Sequence, residues 1–283
     1  MDCHGLTDRG QVRESNEDQF LVAELRKSLQ IHQTSLAIDD ETCLLGGAQG
    51  QLLLVADGLG GHLAGERASS LAVDCLAHFA VNAMQWCLRL DDTNGQQVLA
   101  EWREALQRCD AQVHQESEAL PERHGMGTTV TLAYIAWPRA YIIHAGDSRC
   151  YLLRESRLEQ ITTDHTLAQR MVEAGMLTAD QAAHSRYSHV LWNAVGGSAE
   201  KLSPEAHQVQ LQAGDVLLLC TDGLTNEVGD GATAAILSEG RGAAETCQRL
   251  VEAANHAGGR DNITVLVARF DSPGETASLA TQS

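Results

Sequence analysis

Two short apolar runs, each followed closely by an Asp-Gly-Leu tripeptide, stand out in the pattern of hydrophobic and polar positions. The first spans residues 52–56 and precedes Asp57; the second spans 216–220, which Thr221 separates from Asp222. A short apolar run bounded by turn-forming residues is typical of a buried strand. We therefore predict two buried strands with a carboxylate at each exit, and we expect two sheets that converge on one acidic site.

The rest of the chain divides into blocks of helical and strand-like periodicity. The spacing of apolar residues predicts helices at 66–90, at 98–113 after the capping residues 91–94, at 166–174, at 179–183 and at 232–254 with a break at 240–242. Strands are predicted at 20–23, 128–135, 140–145, 150–153, 209–211 and 263–270. Residues 27–50, of mixed polarity, are predicted to form a loop or irregular hairpin that leads to the strand at 52–56.

The connections between these blocks indicate the fold class. Short turns join the strands of the central block, which implies antiparallel pairing. Runs of strands and paired helices without regular strand–helix alternation predict an α+β fold built of layers, and not a doubly wound parallel sheet. We predict one domain over residues 1–270 and a disordered tail at 271–283, because the tail lacks residues that could bury surface.

Composition limits the partners. A net charge of -18 and a pI of about 4.9 argue against nucleic acid and against an anionic membrane surface, since both require clustered Lys and Arg. The eight cysteines form no CxxC pair, and several lie in apolar segments, so we interpret them as reduced core thiols. The sequence contains no signal-like start and no apolar run of 18 residues. We expect a soluble, cytoplasmic monomer.

Carboxylates gathered at one site have a chemical consequence. Each pair at 4 Å repels by about 4 kcal/mol at an effective dielectric constant near 20, so the cluster favours bound cations. Hard oxygen ligands favour Mg or Mn over Zn. Three further segments place polar groups at turns, around Glu17, around Asp147 and around Asp261. A single Asp at a strand end more often forms a turn or a helix cap. The number and order of these segments therefore carry the prediction.

That order resembles a known family. The segments RxxNED, DGxGGHxxGExAS, GxGTT, GDSR, TxDHT, DGLTxxV and GxDNIT follow one another as in the metal-dependent type 2C protein serine/threonine phosphatases, from residue 5 to about residue 270. Any one segment alone would be a weak signal. The resemblance implies a four-layer α-β-β-α sandwich of two antiparallel sheets flanked by helix pairs, with metal ions at one end between the sheets.

The resemblance also implies roles for individual residues. Asp57 would bridge two metal ions, and the carbonyl of Gly58 together with Glu17 would lie on one of them. Asp222 and Asp261 would hold the other ion. Asp147, with Asp222, matches the ligands of a third and weaker metal in bacterial members of the family.

The reaction requires such a site. Hydrolysis of a phosphate monoester is among the slowest uncatalysed reactions, so charge neutralisation and a strong nucleophile must both be supplied. Two metals about 3.5 to 4 Å apart can share a bridging water and lower its pKa toward neutrality. Arg13 matches the arginine that clamps the substrate phosphate, which suits a planar guanidinium facing a dianion. We therefore predict a phosphoprotein phosphatase specific for phosphoserine and phosphothreonine, with Arg13, Asp57 and Asp222 as the central catalytic residues.

Two other functions stay open at this point. A catalytically silent domain of the same type could bind phosphoproteins or a regulator, although such domains usually lack a metal aspartate. A metal hydrolase of small phosphate esters is the other alternative.

One position departs from the family pattern. Many eukaryotic members have a histidine, proposed as a proton donor, where this chain has Leu59. The role of His62, three residues later, is open between catalysis and a structural hydrogen bond. We expect His165 in TTDHT to hold a turn. Tyr187 and Trp192 lie in a stretch that matches the family's flap, with either packing or substrate contact as their role.

Overall fold

The computed structural model describes residues 1–30, 43–82, 95–197 and 201–270, without the side chains of 27–30, 43–49 and 62. The tail predicted at 271–283 and the predicted helical residues 83–90 lie outside these ranges. Among the described helices, none combines the length and apolar character needed to cross a membrane.

Strands and helices follow one another in blocks. In chain order the elements are β1 (Asp2–Asp8), β2 (Gln19–Gln30), β3 (Cys43–Ala56), β4 (Gly58–Leu59), α1 (His62–Asn82), α2 (Gly95–Ala119), a 3-10 turn (Pro121–Arg123), β5 (Gly127–Thr128), β6 (Val130–Ala136), β7 (Arg139–Ala145), β8 (Arg149–Arg154), β9 (Arg157–Gln160), α3 (Leu167–Glu173), α4 (Ala179–Ala183), β10 (Glu205–Gln210), β11 (Val216–Cys220), α5 (Asp222–Thr225), α6 (Asp230–Leu237), α7 (Ala243–Ala257) and β12 (Ile263–Arg269).

Two five-stranded sheets form the centre of the fold. The first has the order β1-β12-β11-β8-β9 and the second the order β10-β7-β6-β3-β2, while β4 and β5 make a separate small ladder. The strand pairs in all three are antiparallel. The prediction of antiparallel α+β layers is confirmed.

Alternation along the strands produces three layers of core. In β3, Leu52 and Leu54 pack toward α1 and α2, whereas Leu53 and Val55 pack between the sheets. In β11, the even-numbered residues face α6 and α7 and the odd-numbered ones face the other sheet. Successive side chains of a strand point to opposite faces, so a strand with cores on both sides must be apolar throughout. This explains the two uninterrupted runs and confirms the α-β-β-α sandwich.

The hairpin of β2 and β3 is longer than predicted. The strands continue to Gln30 and back from Cys43, so much of the predicted loop at 27–50 is paired, while residues 31–42 lie outside the described ranges. The pairing register shifts between Leu25 and Arg26 and again between Arg26 and Ser28. The alternative of an irregular hairpin is therefore correct.

Candidate metal centre

A cleft of about 800 Å³ lies where β3 and β11 end. Asp57 follows β3 of the second sheet, and Asp222 begins the short helix α5, with Thr221 alone between it and β11 of the first sheet. The predicted site residues line this cleft together: Arg13, Glu17, Asp57, Gly58, Asp147, Asp222 and Asp261. Segments that are up to 248 residues apart in the sequence thus meet in one acidic site, as the two Asp-Gly-Leu exits predicted.

The backbone of Asp57 is fixed from both sides by neighbouring threonines. Its N–H donates to Thr129 Oγ1 at 3.0 Å, and its carbonyl accepts from Thr128 Oγ1 at 2.8 Å and from the Thr129 N–H at 2.9 Å. Thr129 Oγ1 also lies 2.7 Å from Ser148 Oγ, next to Asp147. The GTT and GDS segments therefore fix the backbone near Asp57 and near Asp147 through one connected set of hydrogen bonds.

Helix α1 closes the Glu17 side of the site. Ser69 Oγ donates to the Glu17 carbonyl at 2.6 Å, and the Glu17 N–H donates to Asn262 Oδ1 at 2.8 Å. A Cβ on Gly65 would lie 1.9 Å from Glu17 Oε2, and one on Gly58 would lie 2.3 Å from the Gly65 carbonyl oxygen. Gly65 leaves room for the Glu17 carboxylate and Gly58 leaves room for the backbone of α1, because these segments approach one another too closely for a side chain at either position.

One hydrogen bond orients Asp222, and a histidine lies nearby. Asn226 Nδ2 donates to its Oδ2 at 3.0 Å from the next turn of the chain. His189 Nδ1 lies 3.9 Å from the same oxygen. The other oxygen, Oδ1, is buried without a hydrogen-bond partner.

Arg13 and Asp261 meet at the mouth of the cleft. Arg13 Nη2 donates to Asp261 Oδ2 at 2.7 Å, and the arginine side chain is 52% exposed. This hydrogen bond, more than any other cause, raises the pKa of Arg13. A permanently charged guanidinium therefore lies beside the carboxylates, where an incoming anion would meet it.

The carboxylates perturb one another strongly. Burial, followed by the charges of Asp18, Asp222, Asp147 and Asp261, raises the pKa of Asp57 well above its ordinary value. Burial and the charge of Asp222 likewise raise the pKa of Asp147, and burial and Asp261 raise that of Asp222. Each shift means that the ionised form lacks compensating positive charge. This donor set, with the buried unpartnered oxygen of Asp222, fits divalent cations that take oxygen ligands.

Asp18 is a member of the cluster to which the sequence prediction assigned no role. It is 3% exposed, and its Oδ2 accepts from Thr221 Oγ1 at 2.8 Å and Thr264 Oγ1 at 2.7 Å. Its Oδ1 has no hydrogen-bond partner, and burial raises its pKa from 3.8 to about 7. The sequence signal for Asp18 was its place in the run Asn16-Glu17-Asp18, directly before β2 and next to the predicted metal ligand Glu17.

Asp18→Asn should stabilise the metal-free protein, because it removes the cost of burying the Asp18 charge. Because burial raises the pKa of Asp18 in the folded state above its unfolded value, this group lowers the free energy of unfolding progressively as pH rises from about 4 to about 7, by about 2 kcal/mol at pH 5 and about 4 at pH 8. We expect the difference in unfolding free energy, variant minus wild type, to become about 2 to 3 kcal/mol more favourable between pH 5 and pH 8 in EDTA.

The unfolding free energy of Asp18→Asn must be compared with that of wild type at each pH, because His144 changes the stability of both proteins in the opposite direction. Burial lowers the pKa of His144 to about 4, so its protonation in the unfolded chain reduces stability as pH falls below 6.5. This contribution is common to both proteins and cancels. Denaturant unfolding at the two pH values measures the difference, and a pH-independent value would contradict the assigned pKa shift.

Other residues of the cleft were not predicted. The stretch at 184–197 that resembles the family's flap contributes His184 and His189, and the loop after α7 contributes Arg260, whose Nε donates to Glu227 at 2.7 Å. Leu59, at the position where many eukaryotic members of the family that the sequence resembles have a histidine, also lines the cleft, and its side chain cannot donate a proton. The side chain of His62 lies outside the described part of the chain. Trp192 packs edge-on against His165, 5.1 Å between ring centroids, which supports packing as its role.

Known proteins share this sequence pattern and architecture. The family profile of protein phosphatase 2C matches residues 32–229. Serine/threonine protein phosphatase PstP of Mycobacterium tuberculosis is 35% identical over 262 residues, which are 93% of this chain and 43% of that protein. The chain thus spans less than half the length of that relative. Serine/threonine phosphatase stp of Listeria monocytogenes is 32% identical over 271 residues, 96% of each chain.

A solved structure contains the metals that the residues suggest. The catalytic domain of serine/threonine protein phosphatase PstP, in complex with two manganese ions, superposes with a TM-score of 0.73 at 34% identity. The match covers 95% of this chain and 98% of that chain.

Proposed function

Because the chain belongs to the protein phosphatase 2C family, we propose that it is a metal-dependent phosphatase that hydrolyses phosphoserine and phosphothreonine on proteins. One observation carries the proposal above all. Glu17, Asp57, Asp222 and Asp261 line one cleft with Arg13 at its mouth, although they come from four separate segments. A silent domain has no need to keep this costly set of mutually repelling carboxylates intact.

The carboxylates would hold two ions, Mg or Mn, and Asp147 with Asp222 would hold a third. When bound, two such ions supply a water nucleophile of lowered pKa and neutralise the phosphoryl oxygens. Asp57 would hold both central ions, as the family pattern implies, because it lines the same cleft as Glu17, Asp222 and Asp261. Glu17 and the Gly58 carbonyl would lie on one side, with Asp222 and Asp261 on the other.

Arg13 would bind the phosphate of the substrate. Its side chain reaches the carboxylates with one N–H and is half exposed toward solvent. The planar guanidinium carries several further donors with a geometry that matches two phosphate oxygens. Arg13 would therefore orient the ester for in-line attack and compensate part of its charge.

The partners follow from the same chemistry. We propose phosphorylated proteins as substrates, with no nucleic acid or membrane partner, since the chain carries a net charge of -18. Six cysteines have side chains that the structure describes, and all six are free thiols: Cys3, Cys75, Cys109, Cys150, Cys220 and Cys247. Free thiols agree with a cytoplasmic location. A monomer suffices, because every proposed ligand comes from one chain.

Phosphate release tests the proposal. Purified protein with Mn²⁺ should hydrolyse a small aryl phosphate, lose this activity in EDTA and regain it when Mn²⁺ is restored in excess. Asp222→Asn should lose at least about 99% of the activity, since it removes a charged ligand of the central pair. Activity that is indifferent to chelation would contradict the mechanism.

Two further measurements address the alternatives. A silent phosphoprotein-binding domain should bind Mn²⁺ weakly and release no phosphate, so calorimetric titration with Mn²⁺ separates it from an enzyme. Turnover of phosphopeptides, compared with nucleotides and sugar phosphates at equal concentration, separates a protein phosphatase from a hydrolase of small esters. We expect higher kcat/KM on the phosphopeptides.

A further inference from the structure

A second group of titratable side chains lies behind the turn that carries Asp147. The ligand atoms of His144, His165 and Glu205 are within 4.8 Å of one another, and the two histidines are buried. None of the three lines the cleft described above. The group has the composition of a metal site, but its hydrogen bonds indicate a different role.

Both nitrogens of His144 are already engaged. Nε2 lies 3.0 Å from the Gly146 carbonyl oxygen and 3.1 Å from that of Thr163, so it carries the proton and donates. With the proton on Nε2, Nδ1 accepts from Thr131 Oγ1 at 2.9 Å, and that hydroxyl also lies 3.2 Å from the Ser148 carbonyl oxygen. Since two carbonyl oxygens require a donor at Nε2, this ring offers no free lone pair to an ion.

His165 holds Gly146 from two directions. The backbone N–H of His165 donates to the Gly146 carbonyl at 2.7 Å, and the Gly146 N–H donates to His165 Nδ1 at 3.1 Å. Gly146 has a φ of +120°, and a Cβ there would lie 2.5 Å from Thr129 Cβ. The chain is thus clamped in a conformation that favours glycine, one residue before Asp147.

The flap determines which nitrogen of His165 accepts. The Asn193 amide is oriented by Ser203, whose N–H donates to Oδ1 at 3.0 Å and whose carbonyl accepts from Nδ2 at 2.9 Å. Asn193 Nδ2 is therefore the atom that donates to His165 Nδ1, at 3.0 Å. Because two N–H groups share the single lone pair of Nδ1, that nitrogen carries no proton, and the proton of the neutral ring is on Nε2.

Glu205 faces that proton. Its Oε2 lies 3.5 Å from His165 Nε2 and accepts from the Thr163 N–H at 3.0 Å. Its Oε1 lies 2.7 Å from His207 Nε2 and accepts from Thr163 Oγ1 at 3.1 Å. A carboxylate fixed in this way favours the tautomer with the proton on Nε2, as with carboxylate-oriented histidines in other sites.

We propose that His165 is a positioning residue, which acts through the Gly146 N–H to hold the Asp147 carboxylate in the cleft and to couple that turn to Asn193 of the flap. The proposal rests on the function proposed above. A side chain that orients a metal-binding group is worth about 10- to 100-fold in affinity or activity. The acceptor at Nδ1 is the essential feature, and the donor at Nε2 maintains it.

Three substitutions separate these features. His165→Asn places an amide oxygen close to the position of Nδ1 and keeps an acceptor for the Gly146 N–H. His165→Gln places its amide near Nε2 and loses that acceptor, while His165→Ala loses both. His78→Asn, on the exposed face of α1, is the matched control, because its ring is 70% exposed and it is not among the residues that line the cleft.

Amide hydrogen exchange at Gly146, measured by NMR without metal, is the readout that does not depend on activity. We expect exchange about tenfold faster in the Gln and Ala variants, and within about threefold of wild type in the Asn variant. In Mn²⁺, kcat should fall at least about tenfold in the Gln and Ala variants with KM for the aryl phosphate little changed. His78→Asn should match wild type in both measurements.

The outcomes separate the two proposals. An active wild type whose Gly146 exchange and kcat are the same in all three variants would overturn the positioning role and leave the proposed function intact. Equal losses in the Asn and Gln variants would also overturn it, since bulk alone would then explain the effect. A wild type that is inactive with Mn²⁺ would refute the proposed function, and the exchange rates would still decide whether His165 holds Gly146.

Discussion

Asp57→Asn should lower kcat for phosphate release by at least about a thousandfold, the largest effect of any single substitution in the chain. Asp57 is at the centre of the cluster, and burial together with four neighbouring aspartates raises its pKa well above the ordinary value. An amide is a neutral and weaker ligand, so the variant should bind Mn²⁺ poorly. Its backbone anchors to Thr128 and Thr129 remain, so the fold should be kept.

Stability provides the control for this substitution. Since Asp57→Asn removes one of several repelling charges, the unfolding free energy in EDTA at pH 8 should rise or stay constant. Asp74→Asn, an exposed carboxylate on α1 at 69% exposure, should leave kcat unchanged. Retention of a tenth of the wild-type kcat by a folded Asp57→Asn protein would show that Asp57 does not hold the metals.

Gly65→Ala should produce the second-largest effect, through a residue without a functional group. The added Cβ would lie 1.9 Å from Glu17 Oε2 and 2.9 Å from the carbonyl carbon of Gly58, so Glu17 or α1 must move. We expect the apparent affinity for Mn²⁺ to fall at least about tenfold and kcat/KM at limiting Mn²⁺ to fall about 10- to 100-fold. Alanine is the better helix former, which offsets part of the cost of this shift, so we expect the variant to stay folded.

A second glycine offers a matched comparison. Gly231 lies in the first turn of α6, and nothing lies within 4 Å of a Cβ added there. Gly231→Ala makes the same chemical change and should leave Mn²⁺ affinity and kcat at wild-type values. If Gly65→Ala behaves like Gly231→Ala, then the close approach of α1 to Glu17 has no part in metal binding.

Much of this architecture could be predicted because buried positions recur along the sequence with the period of a helix or a strand. Residues 52–56 and 216–220 are apolar throughout since each strand faces two cores, and the carboxylates at their exits stand out against that background. Helix positions were also predicted: the helix expected at 166–174 is α3, which Thr166 caps, and the predicted break at 240–242 separates α6 from α7. Local chemistry and local geometry coincide at these positions.

The remaining features depend on contacts between distant segments. Asp18 resembles an ordinary turn residue until the fold brings Thr221 and Thr264 to it, from 203 and 246 residues away. His189 and Arg260 belong to polar loops whose position over the cleft is a property of the tertiary structure. The strand β9 was missed because only four residues, largely exposed, form it. The spacing of apolar residues shows which side chains are buried, but it does not show which residues of other segments they contact.

Phosphate release as a function of bound manganese tests the central claim most directly. Metal-free protein would be dialysed against rising Mn²⁺, and the bound metal per chain and the rate on a phosphothreonine peptide would be measured in the same samples. Activity should be absent at zero occupancy, rise as about two ions bind per chain, and disappear again in EDTA. Hydrolysis of the peptide by chains that hold no metal would contradict the account.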